Sequence, residues 1–557
     1  LLAGGLPAAL RERIVDLAEG NPLFAEETVR MLVDEGSLQR TDGEWRLAKP
    51  LEELEMPGSV QAVIAARLDS LPQEEKRTAQ DAAVIGRIFW DRLVVYLAAE
   101  NSEHTNECLG GLRAKELVVP RLTSSLADAA EYSFHHVLIH DVAYDSLPKR
   151  DRARLHEEVA TWAEGHLADR IGEFAELIAS HIVAAVGYGE ELGAGRSSEL
   201  RETRELAYAA CLRAARRAAS LDLITRACRW MWTAIGLGRA LDLGPREIAA
   251  LADEDANWHW NSAWEGHHAE ALAPIIDTLE ASPDVTDQDK QLLSRLRCAL
   301  IEPPQKPADI QTAEAILRAG LDRLEGDDPS PGRARLLRTL GWVTGHAQRH
   351  VEAVSLLEQA IAEARACSDD WTLRWALMDM AMNVCFVEGL ADGLELIEES
   401  YRLALEANDQ GLIHRYRNNM PWIRTELGES PEPSVSVFKE GLARARREAE
   451  GGSDVSFAFN LAIAYSWMGR LGDALTHIDE AISTARAIAG ESDDWLLVDR
   501  AVIHRLRGEI AAAEEDEAEL ERRAYEPPLQ LAYVWLIERA WAEWPRDPAA
   551  ALRELTA

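Results

Sequence analysis

"FAFNLAIAYSWMGRLGDALTHIDEAISTARAI", residues 457 to 488, carries apolar residues three and four apart on both sides of Gly469, and two alanines, Ala474 and Ala481, seven apart. That spacing marks one face of an α-helix. Seven residues are two turns, so both small side chains face one way and let a neighbouring helix approach closely. The same pairing recurs at Ala313 and Gly320, Ala353 and Ala360, Gly393 and Ser400, and Ser434 and Gly441, with successive first members 40, 40, 41 and 40 residues apart. A period near 40 with two helices per unit predicts an α-solenoid. Ala227 with Ala234 extends the pattern upstream. Looser pairs, Ala271 with Thr278 and Ala511 with Ala518, bring the expectation to about eight repeats over residues 169–557.

Upstream of the repeats the pattern changes. Residues 1–55 read as a small helical piece ending in the loop "QRTDGEWRLAKP". Ser59 is placed to cap a helix through "VQAVIAARLDSL", and Pro72 followed by Glu74 and Glu75 opens another, since proline suits a first turn and acids complement the positive end of the helix dipole. Helices are expected over 73–85, 91–98 and 103–115, and strands only at "LVVPRL" (117–122) and "EYSFHH" (131–136). Three helices followed by two short strands give the order of a winged-helix domain over residues 56–168. The fold class is therefore mainly α: a helical lid piece, a winged-helix domain and a solenoid resembling tetratricopeptide (TPR) repeats, with Ala462, Tyr465, Ala474 and Ala481 at the spacings of that repeat.

Composition narrows the function. The 557 residues carry 96 acidic against 59 basic side chains, a net charge of -37, which repels phosphate backbones and anionic lipid and argues against direct binding of nucleic acid or membrane. Six scattered cysteines form no C-x-x-C pair and read as reduced thiols of a cytoplasmic protein. No stretch approaches the roughly 20 apolar residues of a membrane span. The chain starts at Leu1 rather than Met, which suggests a piece of a longer protein. "EEDEAELE" (514–521) reads as a solvated helix face, and Trp258, Trp260, Trp264 and His267 as packing between repeats.

The search for chemistry returns no G-x-x-x-x-G-K-[ST], no H-E-x-x-H and no G-x-S-x-G, so no catalytic residue is assigned and the chain is not expected to hydrolyse ATP by itself. What stands out is "YSFHHVLIHDVAYDSL" (132–147), with His135, His136 and His140 beside aromatics and aspartates. His136 and His140, one helical turn apart, would need further ligands to hold zinc, which takes four in structural sites, and no metal site is assigned.

Four stretches together resemble the regulatory half of signal-transduction ATPases with numerous domains (STAND), an AAA-like class: "AEGNPLFAEETVRMLVDEGSL" (18–38), "MPGSVQAVIAARLDSLPQEEKRTAQDAAVIGRIFW" (56–90), "LRAKELVVPR" (112–121) and "EYSFHHVLIHDVAYDSL" (131–147). The resemblance is to the bacterial type in which an adenylate/guanylate cyclase domain precedes the ATPase and a TPR tail. It implies that ATP or ADP is bound together with a nucleotide-binding domain outside this sequence. The G-x-P motif of the class, whose proline packs near the adenine, matches Gly20, Asn21 and Pro22, and the class's histidine on the β-phosphate matches His136. His135 and His140 stand where the family run has arginines, which removes two permanent cations. The resemblance further implies a signal-transduction role, a protein or small-ligand partner on the solenoid, and homo-oligomers on activation. Two other readings fit the same sequence: the sensor portion of a LuxR-type ATP-binding transcriptional regulator, and a free-standing TPR scaffold.

Overall fold

The computed structural model describes residues 6–523 apart from 42–43, 52–53, 55, 100, 168–169, 171, 194–196, 222, 259–267, 302–306, 325–327, 449–452 and 488–492. Trp260, Trp264 and His267 lie outside the described residues. The chain divides into two compact units, 1–214 and 215–557. The boundaries expected at 55/56 and 168/169 are cuts inside the first of them. Mainly α is the observed class, with 25 helices and five short strands among the described residues.

The first unit opens with α1 (Ala8–Ala18) and α2 (Pro22–Asp34). Asn21 caps α2 by accepting from the amides of Leu23 and Phe24, with Pro22 at the first helical position. The segment expected to be a loop is instead a hairpin, β1 (Leu38–Thr41) against β2 (Glu44–Leu47), in the register Leu38 to Leu47 through Thr41 to Glu44. The overlooked signal was Asp42-Gly43, a dipeptide suited to two-residue hairpin turns.

Next come α3 (Val60–Asp69), α4 (Gln73–Ile85), β3 (Ile88–Trp90), α5 (Asp91–Ala98), α6 (Ser102–Ala114), β4 (Val118–Pro120), β5 (Glu131–Phe134), α7 (Val137–Asp145), α8 (Lys149–His166) and α9 (Ala175–Glu191). Ser59 does cap α3, accepting from Ala62 N at 3.2 Å. β3 went unforeseen because three residues are too few to show alternation. It pairs with β5, which also pairs with β4, in an antiparallel sheet of order β3-β5-β4. Phe89 anchors that sheet, stacking on Tyr132 at 5.8 Å and leaning on Phe134 at 5.4 Å. Burial alone would raise the pKa of Glu131, but hydrogen bonds from Ser125 and Trp90 and the charge of Arg121 outweigh it and hold the carboxyl low.

α2 meets α3 through buried charge. Arg67, 1% exposed, pairs with Glu27 at 0% exposure, reaches Asp34 at 2.9 Å and donates to the carbonyl of Lys115 at 2.8 Å, at the end of α6. Arg30 pairs with Glu26 and Glu27 and with Glu116. Helix α10 (Ser198–Ser220) then carries the chain across the division at 214/215.

The second unit is a run of antiparallel helices: α11 (Ile224–Ala240), α12 (Pro245–Trp258), α13 (His268–Glu280), α14 (Asp287–Ala299), α15 (Pro307–Asp322), α16 (Pro331–His346), α17 (His350–Cys367), α18 (Asp370–Val387), α19 (Leu390–Glu406), α20 (Gln410–Glu426), α21 (Glu432–Glu448), α22 (Ser453–Trp467), α23 (Leu471–Ala487), α24 (Asp494–Arg507) and α25 (Ile510–Arg522). The small-residue pairs fall on α15, α17, α19, α21 and α23, where Ala353, Ala360, Ser400, Ala474 and Ala481 are all 0% exposed. Close approach is the reason. A Cβ on Gly393 would meet Cys385 Sγ at 2.5 Å and Ala381 O at 2.8 Å on α18, and Ser400 Oγ donates to Arg374 O on the same helix at 2.8 Å.

Two outlying pairs were misregistered. Thr278 is exposed on α13, whose buried face is Leu272, Ile275, Ile276 and Leu279. Ala511 and Ala518 are exposed on α25, where Ala513 and Leu520 take the inward positions. Alanine also favours helix surfaces, so an alanine pair marks a packed face only when the larger apolar residues agree with it. Nor is "EEDEAELE" wholly solvated: Asp516 is buried and pairs with Arg500 at 2.5 Å.

Candidate functional site

His136 sits at the corner between β5 and α7, in extended backbone, and caps the helix: its Nδ1 accepts from Leu138 N at 3.1 Å. An imidazole that accepts at Nδ1 carries its hydrogen on Nε2 when neutral, so Nε2 is a donor. Among the described residues that nitrogen has no hydrogen-bond partner in the protein. Gly20 and Asn21 form an exposed turn that leads into Pro22, the exposed first residue of α2, with Gly20 at φ 87° and nothing within 4 Å of where its side chain would start. Both α2 and α7 pack on α3. No hydrogen bond joins the 20–22 turn to His136 among the described residues; α3 is what they share.

The other two histidines of the run diverge. His135 is exposed and ties down through its backbone amide to Leu117 O at 3.0 Å. His140 turns into the unit, its Nε2 on Ala83 O of α4 at 3.0 Å and its Nδ1 on Asp141 at 2.8 Å, between the rings of Phe134 and Tyr144. It is a packing and bridging residue. The three rings do not converge on a common point.

What the sequence reading passed over is the far end of α7. Tyr144 Oη lies 2.8 Å from His156 Nε2 on α8 and 2.8 Å from Tyr188 Oη on α9, while His156 Nδ1 lies 2.8 Å from His181 Nδ1, also on α9. Arg152 donates to Tyr188 at 3.4 Å. An arginine only donates, so Tyr188 accepts at that end. The order Arg152 to Tyr188, Tyr188 to Tyr144, Tyr144 to His156 and His156 to His181 gives each bond one donor and works with both imidazoles neutral. Burial pushes His156 down to about 3, helped by His181 and Arg152, and pushes His181 down to about 4 against the pull of Ile85. The signal for this cluster was present: His156 and His181 lie on the apolar stripes of Leu155 and Val159 and of Ile178 and Ile182.

The repeats hold a second feature, a cleft of about 730 Å³ bordered by α19, α20, α21 and α22. Pro421, within α20, lies on its wall. Tyr401 and Tyr416 stack at 3.7 Å on one side, and His414 meets Phe457 edge to face at 5.0 Å on another. Arg417 and Arg424 supply positive charge and Glu429 and Glu440 negative charge at the rim. Aromatic walls with a few charged groups suit a ligand or peptide with an apolar body and polar ends.

In the described residues no helix is long and apolar enough to cross a membrane. No family model and no curated protein matches this chain. Among solved structures, the chain is similar to a signal transduction ATPase with numerous domains carrying a tetratricopeptide repeat sensor from Pyrococcus horikoshii, at 11% identity over 92% of this chain and 70% of that one, with a TM-score of 0.37. It is similar to a Rap protein complexed with competence and sporulation factor at 15% identity, over 63% and 96% of the two chains, TM-score 0.44. It is also similar to the APC/C hetero-tetramer Cut9-Hcn1 at 10% identity, over 84% and 95%, TM-score 0.30.

Proposed function

We propose that this chain is the regulatory portion of a cytoplasmic signal-transduction ATPase of the STAND type, coupled to an adenylate/guanylate cyclase, in which the first unit senses nucleotide and the repeats take a partner or ligand. The observation that carries the reading is the construction of α7. At its start His136 presents an Nε2 donor with no protein partner among the described residues, and at its end Tyr144 is the hub of half-buried hydrogen bonds to α8 and α9. Eight residues of helix separate them, about 12 Å.

In this reading a nucleotide-binding domain holds ADP, Pro22 packs against the adenine, and the His136 Nε2 hydrogen is donated to the β-phosphate. A shift of His136 is then felt at α8 and α9, because a packed helix with a satisfied network at its far end moves as a body. Ligand or partner binding in the cleft beside α20 favours the released form, which couples two separate sites. This chain's own residues position and sense the nucleotide and perform no hydrolysis.

The test uses the full-length parent. His136→Ala should raise basal output and speed ADP loss, while Val437→Trp, which places an indole at the cleft wall, should leave basal output alone and abolish stimulated output. Unchanged ADP retention in His136→Ala overturns the sensing role, and normal stimulation in Val437→Trp overturns the cleft.

A further inference from the structure

Away from the α7 corner, three unlike donors meet between α4 and α6. His104 and Cys108 are four residues apart on α6 and so share a face, and Glu74 reaches them from the first turn of α4. His104 Nε2 lies 2.9 Å from Glu74 Oε2 and 4.0 Å from Cys108 Sγ, and the three donor atoms all lie within 4.8 Å of one another. We propose that Glu74, His104 and Cys108 form a binding site for a thiolate-preferring divalent cation of the zinc class, which clamps α4 to α6.

Three features argue for it. The donor set is nitrogen, sulfur and carboxylate oxygen, the combination that selects zinc over magnesium or calcium. A tetrahedral zinc ion with bonds of about 2.0 to 2.3 Å holds its ligand atoms roughly 3.3 to 3.6 Å apart, so a shift of about half an ångström in each of the two pairs with His104 and of at most about an ångström between Glu74 and Cys108 completes the geometry. Glu74 has 65% of its side chain exposed and is free to make that shift, while Cys108, 6% exposed, supplies the fixed point.

The third feature is the back of the histidine ring. His104 Nδ1 faces Glu107 Oε2 at 3.8 Å, the position of the carboxylate that orients a metal-bound imidazole and fixes its tautomer. Without metal, the Nε2 hydrogen bonds to Glu74. When the ion takes Nε2, the ring hydrogen moves to Nδ1 and is donated to Glu107, and the Cys108 thiol releases its proton to solvent. One proton therefore leaves per ion bound, and a water fills the fourth position. Affinity rises with pH accordingly.

The experiment uses the full chain, reduced and stripped with chelator, titrated with Co(II) as a spectroscopic stand-in and then with Zn(II). The expected result is one equivalent of Co(II) giving a thiolate-to-cobalt charge-transfer band in the near ultraviolet, displaced by Zn(II), with a rise in the thermal midpoint of the first unit. Cys108→Ser should abolish the band, His104→Gln should weaken binding at least tenfold, and Glu107→Gln should keep the band while weakening binding about 10- to 100-fold. No band in the parent chain, or a band that survives Cys108→Ser, overturns the site. Should Cys108→Ser fail to fold, His104→Gln decides: its ring is 37% exposed, and parental affinity in that variant overturns the proposal equally.

Discussion

Both units bury ion pairs, Arg67 with Glu27 in the first and Arg338 with Asp379 in the second, but among the described residues only the first adds a histidine–tyrosine relay to them. In the first, Tyr144, His156, His181 and Tyr188 form a relay of neutral donors and acceptors with the donor Arg152 at one end. In the repeats the buried groups are charged: Arg338 and Asp379, both 0% exposed, pair at 2.7 Å, Arg415 adds a second contact to Asp379 at 2.8 Å, and Arg335 lies over the face of Trp371 at 3.8 Å. Burial lowers the pKa of both Arg335 and Arg338, with Arg335 brought to about 10. A neutral relay fails when a proton is added. An ionic core fails when a partner is removed. The lesson is that these two clusters answer to different perturbations, the histidine pair to acid and the Arg338–Asp379 core to loss of a partner, so the comparison can be broken by mutation and by acid separately.

The largest effect should come from the ionic core. Asp379→Ala leaves Arg338 and Arg415 without their shared carboxylate and should destabilise the repeats by about 3 to 5 kcal/mol, read from denaturant unfolding of the second unit's tryptophans. A change near zero would mean the charges are solvated and the contrast with the first unit is false.

Acid should strike the first unit next. His156 and His181 have folded pKa values of about 3 and about 4, below the ordinary value of 6.5, so the unfolded chain binds more protons between those limits. Stability from this pair is complete above about pH 6.5 and is lost as pH falls toward 4 and 3, by several kcal/mol in total. Hydrogen exchange on α8 and α9 between pH 7 and pH 5 measures the slope, and His156→Phe with His181→Leu should flatten it; an unchanged slope would show that the pair is not held neutral.

The repeat register gives a third test. Ala474→Phe overpacks the seam between α22 and α23 and should cost about 1 to 3 kcal/mol, whereas Ala511→Phe, on an exposed position of α25, should change stability by less than about 0.5 kcal/mol. Equal losses would restore the register that the structure replaced. The smallest expected loss among the buried contacts belongs to Tyr188→Phe, which removes one donor from the relay and should cost about 1 kcal/mol, visible as a lower thermal midpoint of the first unit.

Much of the repeat was legible because packing distance is written in residue size. A Cβ on Gly393 would collide with α18, and Ser400, Ala474 and Ala481 are fully buried on the same faces of their helices. The pattern misled where alanine alone carried it, as at Ala511 and Ala518. In the first unit the helix starts at Ser59 and Pro72 were readable, since their effect acts within one turn, whereas Asn21, read only as part of the G-x-P motif, also caps a helix. The hairpin at residues 38–47 and strand β3 were not, because strand pairing is settled by a partner elsewhere in the chain. Among the three histidines of the 132–147 run, sequence spacing suggested a cluster; only the turn from β5 into α7 separates an outward His135, a capping His136 and an inward His140.

By itself the sequence determined the helical class, the 40-residue period and the helix caps, all of which depend on interactions within a few turns or on side-chain volume repeated at a fixed interval. Tertiary structure alone decided which polar residues became neighbours: His156 with His181, Arg338 with Asp379, Glu74 with His104 and Cys108. Those contacts join residues 25 to 41 positions apart, or helices α4 and α6, and the energy of burying a charge or a ring nitrogen depends on what faces it rather than on its place in the chain.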